Sequence, residues 1–310
     1  MSGREINSSP KAPAFSDYIM ILGAVTIWGG SFASTKYALA ELTPTMVMAL
    51  RMLFAVPALA SGCLADRSLR LPNRREFLTL LLLGFQGIFF HQAIQAWAMQ
   101  TAGAGNANWM MVASPALVAL LGWIFLREKI TLAGAAGIVI SAAGVLLVLA
   151  LGTVKETAEA ASFGTAGDWV ILFSVLNWAV FLILSRYLLR DGICPSFAIF
   201  WEVFFSTIFA LILTLTAGSD WSAVSRLSAG TWGSLFFLGA FSSGLAYLLW
   251  YRGLSVLPVA KLIVFQFLQP VAGMVISYLL IGERYTLWLA LGAVMIITGI
   301  CLVNKKQPAA

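Results

Sequence analysis

The sequence predicts an all-α integral membrane protein with ten transmembrane helices in two inverted five-helix repeats, and three observations predict it. Hydrophobic residues make up 60% of the 310 positions and charged residues 10%, against about 25% charged in an ordinary soluble domain. Apolar runs of about 20 residues, enough for a helix to cross a hydrocarbon core of roughly 30 Å, recur between polar breaks along the whole chain. The second half also repeats landmarks of the first.

Ten runs follow one another: 17–38, 44–65, 76–98, 102–125, 130–150, 168–189, 195–217, 230–252, 258–281 and 286–304. The first comes after a polar cytoplasmic tail, 1–16, and is long enough to span, so a cleaved leader is not expected. Arg67, Arg70, Arg74 and Arg75 divide the second run from the third, and Arg127 and Lys129 the fourth from the fifth. Arg186 and Arg190 close the sixth, Arg252 the eighth, and Lys305 and Lys306 begin the tail 305–310. A β-barrel would show short alternating strands in place of these runs. With the N-terminus inside, these basic residues and Arg4 and Lys11 make 13 of 19 on the inner side. Lys36, Lys155, Arg226 and Arg284 fall outside, and Arg51 and Lys261 within spans. The positive-inside rule then places both termini in the cytoplasm.

The same scatter explains the +6 charge without a nucleic-acid partner, since no separate domain gathers the basic residues. Cys63, Cys194 and Cys301 fall at cytoplasmic helix ends; an odd number of thiols on the reducing side predicts no disulfide framework. None has a metal-ligand partner nearby in sequence, so neither a metal nor a cofactor is expected.

At an offset of 155, Gly84 meets Gly239, Pro115 meets Pro270, Glu128 meets Glu283, Leu132 meets Leu287, Gly137 meets Gly292 and Gly144 meets Gly299. At 150, Lys36-Tyr37 meets Arg186-Tyr187. The chain thus divides into repeats at 17–152 and 168–304, joined by an outer linker at 153–167. Because five is odd, the second repeat enters the membrane in the opposite sense. Inverted repeats are a common design of secondary transporters, with a site near the midplane that opens to either side.

WGGSFASTKYALAELTPTMVMALRMLFAVPAL (28–59) and the two Pro…Glu…Gly…Gly segments resemble the EamA family of the drug/metabolite transporter superfamily. The resemblance implies ten helices in two inverted repeats, with helices one, three, four, six, eight and nine around a central cavity and five and ten peripheral. It also implies a small-molecule substrate, mostly amino acids or other small metabolites for export, often coupled to proton or solute exchange.

Polar side chains within a span cost free energy unless they find partners or face a cavity. His91 and Gln95 are i and i+4 near the middle of the third run and share a face. Either they pack between helices through interhelical hydrogen bonds, or they line a cavity, where a histidine can also take a proton. Asn108 and Trp109 open the fourth run, Asn177 and Trp178 lie in the sixth, Trp28 in the first, Tyr247 and Tyr251 in the eighth, and Gln266 in the ninth. Amides suit a carboxylate or ammonium group, and aromatics give apolar walls and cation–π faces. Tryptophans near run ends, such as Trp97, Trp169, Trp221, Trp232 and Trp288, read instead as interfacial belts.

Arg51 and Glu202 occupy corresponding repeat positions, each about seven residues past a helix-starting proline but on opposite membrane sides, so they are not expected to pair. Arg51 matches an arginine of the family's second helix and reads as a helix tie or gate. Glu202 is the only carboxylate well inside a span. A multidrug pump of the small type would want a carboxylate in its first helix, where only Asp17 stands, at the edge. Pro115 and Pro270 remove backbone donors at matching points and suit a gate or a fixed kink. The paired glycines permit close helix packing.

No HExxH, G-x-S-x-G or P-loop is present, and no span has an aspartate near mid-depth. Ser31 or Ser114 beside His91 leaves a serine hydrolase only formally open. The sequence therefore predicts a non-enzyme: a transporter exporting amino acids, aromatic ones favoured, by alternating access with protons as a candidate coupling ion. The competing readings are a carrier of a sugar derivative or cationic drug, and an intramembrane enzyme or solute sensor.

Overall fold

The computed structural model describes residues 13–102, 111, 113–127, 130–151, 165–281 and 287–304. The candidate residues Asn108 and Trp109, the repeated Glu128 and Glu283, both tails but for residues 13–16, and nearly all of the expected linker lie outside the described residues. Every regular element among the described residues is helical.

Six helices among them are long and apolar enough to cross a membrane: α1 Phe15–Ala38, α2 Pro44–Ala65, α3 Arg74–Ala98, α6 Ala166–Arg190 (whose Trp169–Leu189 stretch qualifies), α7 Pro195–Thr216 and α8 Ala229–Val256. Four further apolar helices stand in the other expected positions: α4 Ala113–Leu126, α5 Leu132–Leu151, α9 over 259–281 and α10 Leu287–Asn304. Local chemistry sets the starts. Thr43 caps α2 by accepting from the Met46 amide, with Pro44 in the first turn, where its missing N–H costs nothing. Asn73 and Glu76 form a reciprocal capping box on α3, and Ser228 caps α8 by accepting from the Thr231 amide at 3.2 Å. α8 runs four residues past the expected end, because Arg252 is a tie and not a terminus. Its Nη2 donates to Asp66 at 2.9 and 3.0 Å, and the chain leaves the helix only ahead of Pro258.

The connections gather into two faces. On one, Glu41 accepts from the amide and hydroxyl of Ser228, Thr45 meets Ser219 at 3.1 Å, and the Gly167 amide donates to Thr101. On the other, Asp66 accepts from Arg252 and from Ser196. These hydrogen bonds, the Ser196 bond foremost, hold the Asp66 carboxyl below the usual carboxylate range. The contribution of this tie is therefore present above the ordinary carboxylate pKa and lost only as pH falls through the lowered one, so it persists through neutral pH.

Contacts between the halves are two-fold. A Cβ on Gly137 would meet the Gly299 carbonyl at 2.6 Å, and one on Gly144 would meet the Gly292 carbonyl at 2.7 Å. Each glycine of α5 thus packs on the repeat mate of the other, with α5 and α10 antiparallel. The third helix of each repeat contains a π-helical stretch at matching positions, Gly84–Phe90 in α3 and Phe237–Leu245 in α8. In each, the first repeated glycine lies against the second helix of the other half, Gly84 on the Glu202 carbonyl and Gly239 on the Arg51 carbonyl. Arg51 and Glu202 are equivalent in space as well as in sequence.

Gly137→Val is expected to push α5 from α10 at a cost of about 1–3 kcal/mol, the usual penalty of overpacking. The melting point of the purified protein in detergent reads it. Gly233→Ala, with open space around the new Cβ, should leave that melting point unchanged; equal shifts in the two variants would contradict the close packing.

Candidate functional site

Aromatic side chains close the centre of the bundle. Trp28 of α1 and Trp178 of α6 stand edge to face with ring centroids 6.0 Å apart, and both touch Tyr247 of α8, at 5.6 and 6.2 Å. Trp28 also leans on Trp250 at 5.1 Å, and its Nε1 donates to the Ser242 carbonyl at 2.9 Å. Trp28 and Trp178 are 150 positions apart, the offset of the Lys36 and Arg186 pair. Gln92 and Tyr247 are 155 apart, and Gln92 Nε2 donates to the tyrosine hydroxyl at 2.8 Å. Repeat mates therefore touch each other, so the local two-fold axis runs through these contacts.

Above this floor, toward the Glu41 face, lies a cavity of about 60 Å³. A site for one water needs roughly 10–15 Å³ on the same scale, so the walls stand close together. They come from the turns of α1 and α2 nearest the Glu41 face, the end of α3, Met111, and Gln266 and Gln269 of α9. His91 stacks on Trp178 with centroids 5.2 Å apart and planes 27° apart. Its Nδ1 and the Trp178 Nε1 are buried without hydrogen-bond partners among the described residues. Gln95 donates to Ser174 at 3.2 Å, and Ser114 donates to Gln266 at 3.3 Å. Arg51 supplies the one charged side chain of the wall among the described residues.

Seven expected residues share this cavity: Trp28, Arg51, His91, Gln95, Trp178, Tyr247 and Gln266. Arg51 sits in the wall itself, beyond the tie or gate read from the sequence. Two of those proposed for substrate stand elsewhere. Asn177, one residue and thus about 100° from Trp178, turns to α3 and exchanges hydrogen bonds with Gln86. Tyr251, one turn beyond Tyr247, is fully buried below the floor, where its hydroxyl donates to Glu202 and meets Ser185. Glu202 pairs with Tyr251 and not with Arg51, and its Oε1 has no partner among the described residues.

Pro115 and Pro270 lie inside the helical stretches Ala113–Leu126 and Leu268–Ile281. The start of α4 lies outside the described residues. In α9, which runs over 259–281, Pro270 follows the 3₁₀ stretch Val264–Phe267 by three residues, a local irregularity of the kind that a missing backbone N–H accompanies. Sequence reasoning passed over Gln92, Ser242 and Ser243. The signal for Gln92 was present, because it adjoins His91 in a span where every polar group needs a partner.

Residues 16–150 match the EamA-like transporter family, and residues 165–305 match it again. The chain is 28% identical over 284 residues to "Uncharacterized transporter YyaM" of Bacillus subtilis, covering 91% of this chain and 92% of that one. It is 27% identical to an "Uncharacterized transporter" of Archaeoglobus fulgidus, covering 94% and 98%. It is 24% identical to the "Probable terminal-alkyne amino-acid exporter" of Streptantibioticus cattleyicolor, covering 93% of both chains. A solved structure described as "Crystal structure of protein" superposes with a TM-score of 0.75 at 19% identity, covering 93% of this chain and 96% of that chain, which shows the same fold. The double match falls on the two halves that meet across the Trp28–Trp178 and Gln92–Tyr247 contacts, and on that ground the chain belongs to the EamA-like transporter family.

Proposed function

We propose that this transporter exports amino acids, aromatic ones favoured, or related small metabolites across a bacterial inner membrane by alternating access. Its ten helices cross with both termini in the cytoplasm, and protons are the candidate coupling ion. The observation that carries the reading is the composition of the central cavity. Trp28, Trp178 and Tyr247 present ring faces and edges, while His91, Gln95 and Gln266 present neutral polar groups beside them. Such a wall suits a solute with an apolar ring and a polar end. Asn108 and Trp109, outside the described residues, stay candidates on the sequence alone. The exporter name borne by the Streptantibioticus relative supports amino-acid export. A cationic drug would want a carboxylate in the wall, where the described residues offer Arg51.

With the positive-inside orientation, the cavity lies toward the periplasmic side, and the packed layer of Trp250, Tyr251 and Phe181 closes the cytoplasmic side. In an alternating-access cycle the halves would separate on the Glu41 side to admit the solute to this cavity.

Uptake of labelled phenylalanine or tryptophan into proteoliposomes, with and without a pH gradient, tests the reading. Saturable uptake is expected, and His91→Ala should lower it at least about tenfold, as the loss of a site hydrogen bond with its partner group left bare would do. Normal uptake by the variant would make His91 a packing residue. No uptake of any amino acid by the wild-type protein would end the substrate assignment and leave the fold untouched.

A further inference from the structure

We infer that Arg51 is an anion anchor and that the cavity takes a solute bearing a carboxylate, held by this guanidinium. The inference deepens the reading above and rests on its placing of the solute in this cavity. Arg51 is 7% exposed and faces the space between α1, α3 and α9. Its Nε donates to Ser243 Oγ at 2.5 Å, Nη1 to Gln92 Oε1 at 2.9 Å and Nη2 to Ser242 Oγ at 3.1 Å. All three acceptors are neutral. Among the described residues no Asp or Glu pairs with it, and the nearest candidate by repeat equivalence, Glu202, is engaged by Tyr251.

A guanidinium keeps its charge in proteins and carries five N–H donors. Three are used here, which leaves one on each terminal nitrogen uncommitted among the described residues. Those two donors are available to the oxygens of a carboxylate, the group arginine binds most strongly. A buried cation without a counter-ion is costly to keep. A pure helix tie would do as well with a neutral amide. The neutral acceptors come from two other helices, α3 and α8, and Gln92 is itself fixed by Tyr247, so the charge is held in place before any solute arrives. A carboxylate entering the cavity would supply the missing negative charge, and the ring faces of Trp28, Trp178 and Tyr247 would remain for the rest of the molecule.

The test uses matched probes on the purified full chain in detergent, read by equilibrium titration and by the shift in melting point. The probes are phenylalanine, 3-phenylpropionate and phenethylamine, with leucine and 3-methylbutylamine as a ring-free pair. In the wild-type protein the carboxylate-bearing members of at least one set should bind at least about tenfold more tightly than the amine. Arg51→Gln should erase that ratio, and Arg51→Lys should restore part of it. Equal affinity for amine and acid, no binding of any carboxylate probe, or an unchanged ratio in Arg51→Gln would each overturn the inference. The wild-type ratios decide the matter even if a variant fails to fold. If leucine obeys the rule and the phenyl compounds do not bind, the carboxylate anchor stands and the aromatic substrate falls.

Discussion

Trp178→Ala is expected to lower the stability of the purified protein by about 3 kcal/mol and to abolish uptake in proteoliposomes. Removing a buried tryptophan costs about 3–5 kcal/mol in a soluble core. The lower figure applies here because lipid tails are as apolar as the lost neighbours, so what disappears is close packing rather than shelter from water. That packing is large: the ring touches Trp28, His91, Phe181 and Tyr247. The hole would fall between the two halves, leaving His91 without the face it stacks on and opening the floor of the cavity. Trp178→Phe, which keeps a ring, should retain most of the stability and lose uptake only in part. A melting point unchanged in the alanine variant would mean that the four rings do not pack as described.

Asp66→Ala should unlock the opposite face. The carboxylate accepts from Arg252 of α8 and from Ser196 of α7, so one side chain from the end of α2 ties two helices of the other half. Charged hydrogen bonds of this partly exposed kind contribute about 1–2 kcal/mol, and losing them raises the open population by about 5- to 30-fold. A native reporter lies one residue short of a helical turn away. Cys63 is fully buried and donates to the Ser196 carbonyl at 3.1 Å. Its alkylation by N-ethylmaleimide should be slow in the wild-type protein and faster by about that factor in Asp66→Ala. Equal labelling rates would show that Asp66 does not hold this face shut.

The legible part of this molecule was the part written in long runs. Bilayer thickness dictates apolar length, so helix starts fall within two residues of expectation for every helix except α4 and α10, whose beginnings lie outside the described residues. Repeated glycines revealed the two halves because only a missing side chain lets α5 and α10 meet at the Gly137 and Gly144 contacts. The π-helical stretches were not legible, since a single extra residue per turn leaves no mark in hydropathy. They matter to the site, because a π turn before His91 shifts the phase of α3 so that both His91 and Gln92 are buried. Neither facing nor the depth of the floor can be counted: Asn177 sits level with Trp178 but turns to Gln86, and Tyr251 shares the face of Tyr247 one turn lower, under the floor, where it meets Glu202. Arg51 was visible as a charge in a span, yet its neutral partners, Ser242 and Ser243, come from 190 residues further on.

The equivalence of Arg51 and Glu202 bears on sidedness. Residues that touch their own repeat mate, such as Trp28 with Trp178, keep that neighbour when two halves exchange shapes, so they form an axle. Off the axle, exchange would bring Glu202 into the wall and send Arg51 under the floor. One mouth of such a carrier would then present a guanidinium and the other a carboxyl group, so a solute held at the first would be received differently at the second. Such a bias would set the affinity on each side and the resting preference between shapes by the same factor. It would speed release on one side without choosing a direction, and net export would still have to be drawn from a gradient.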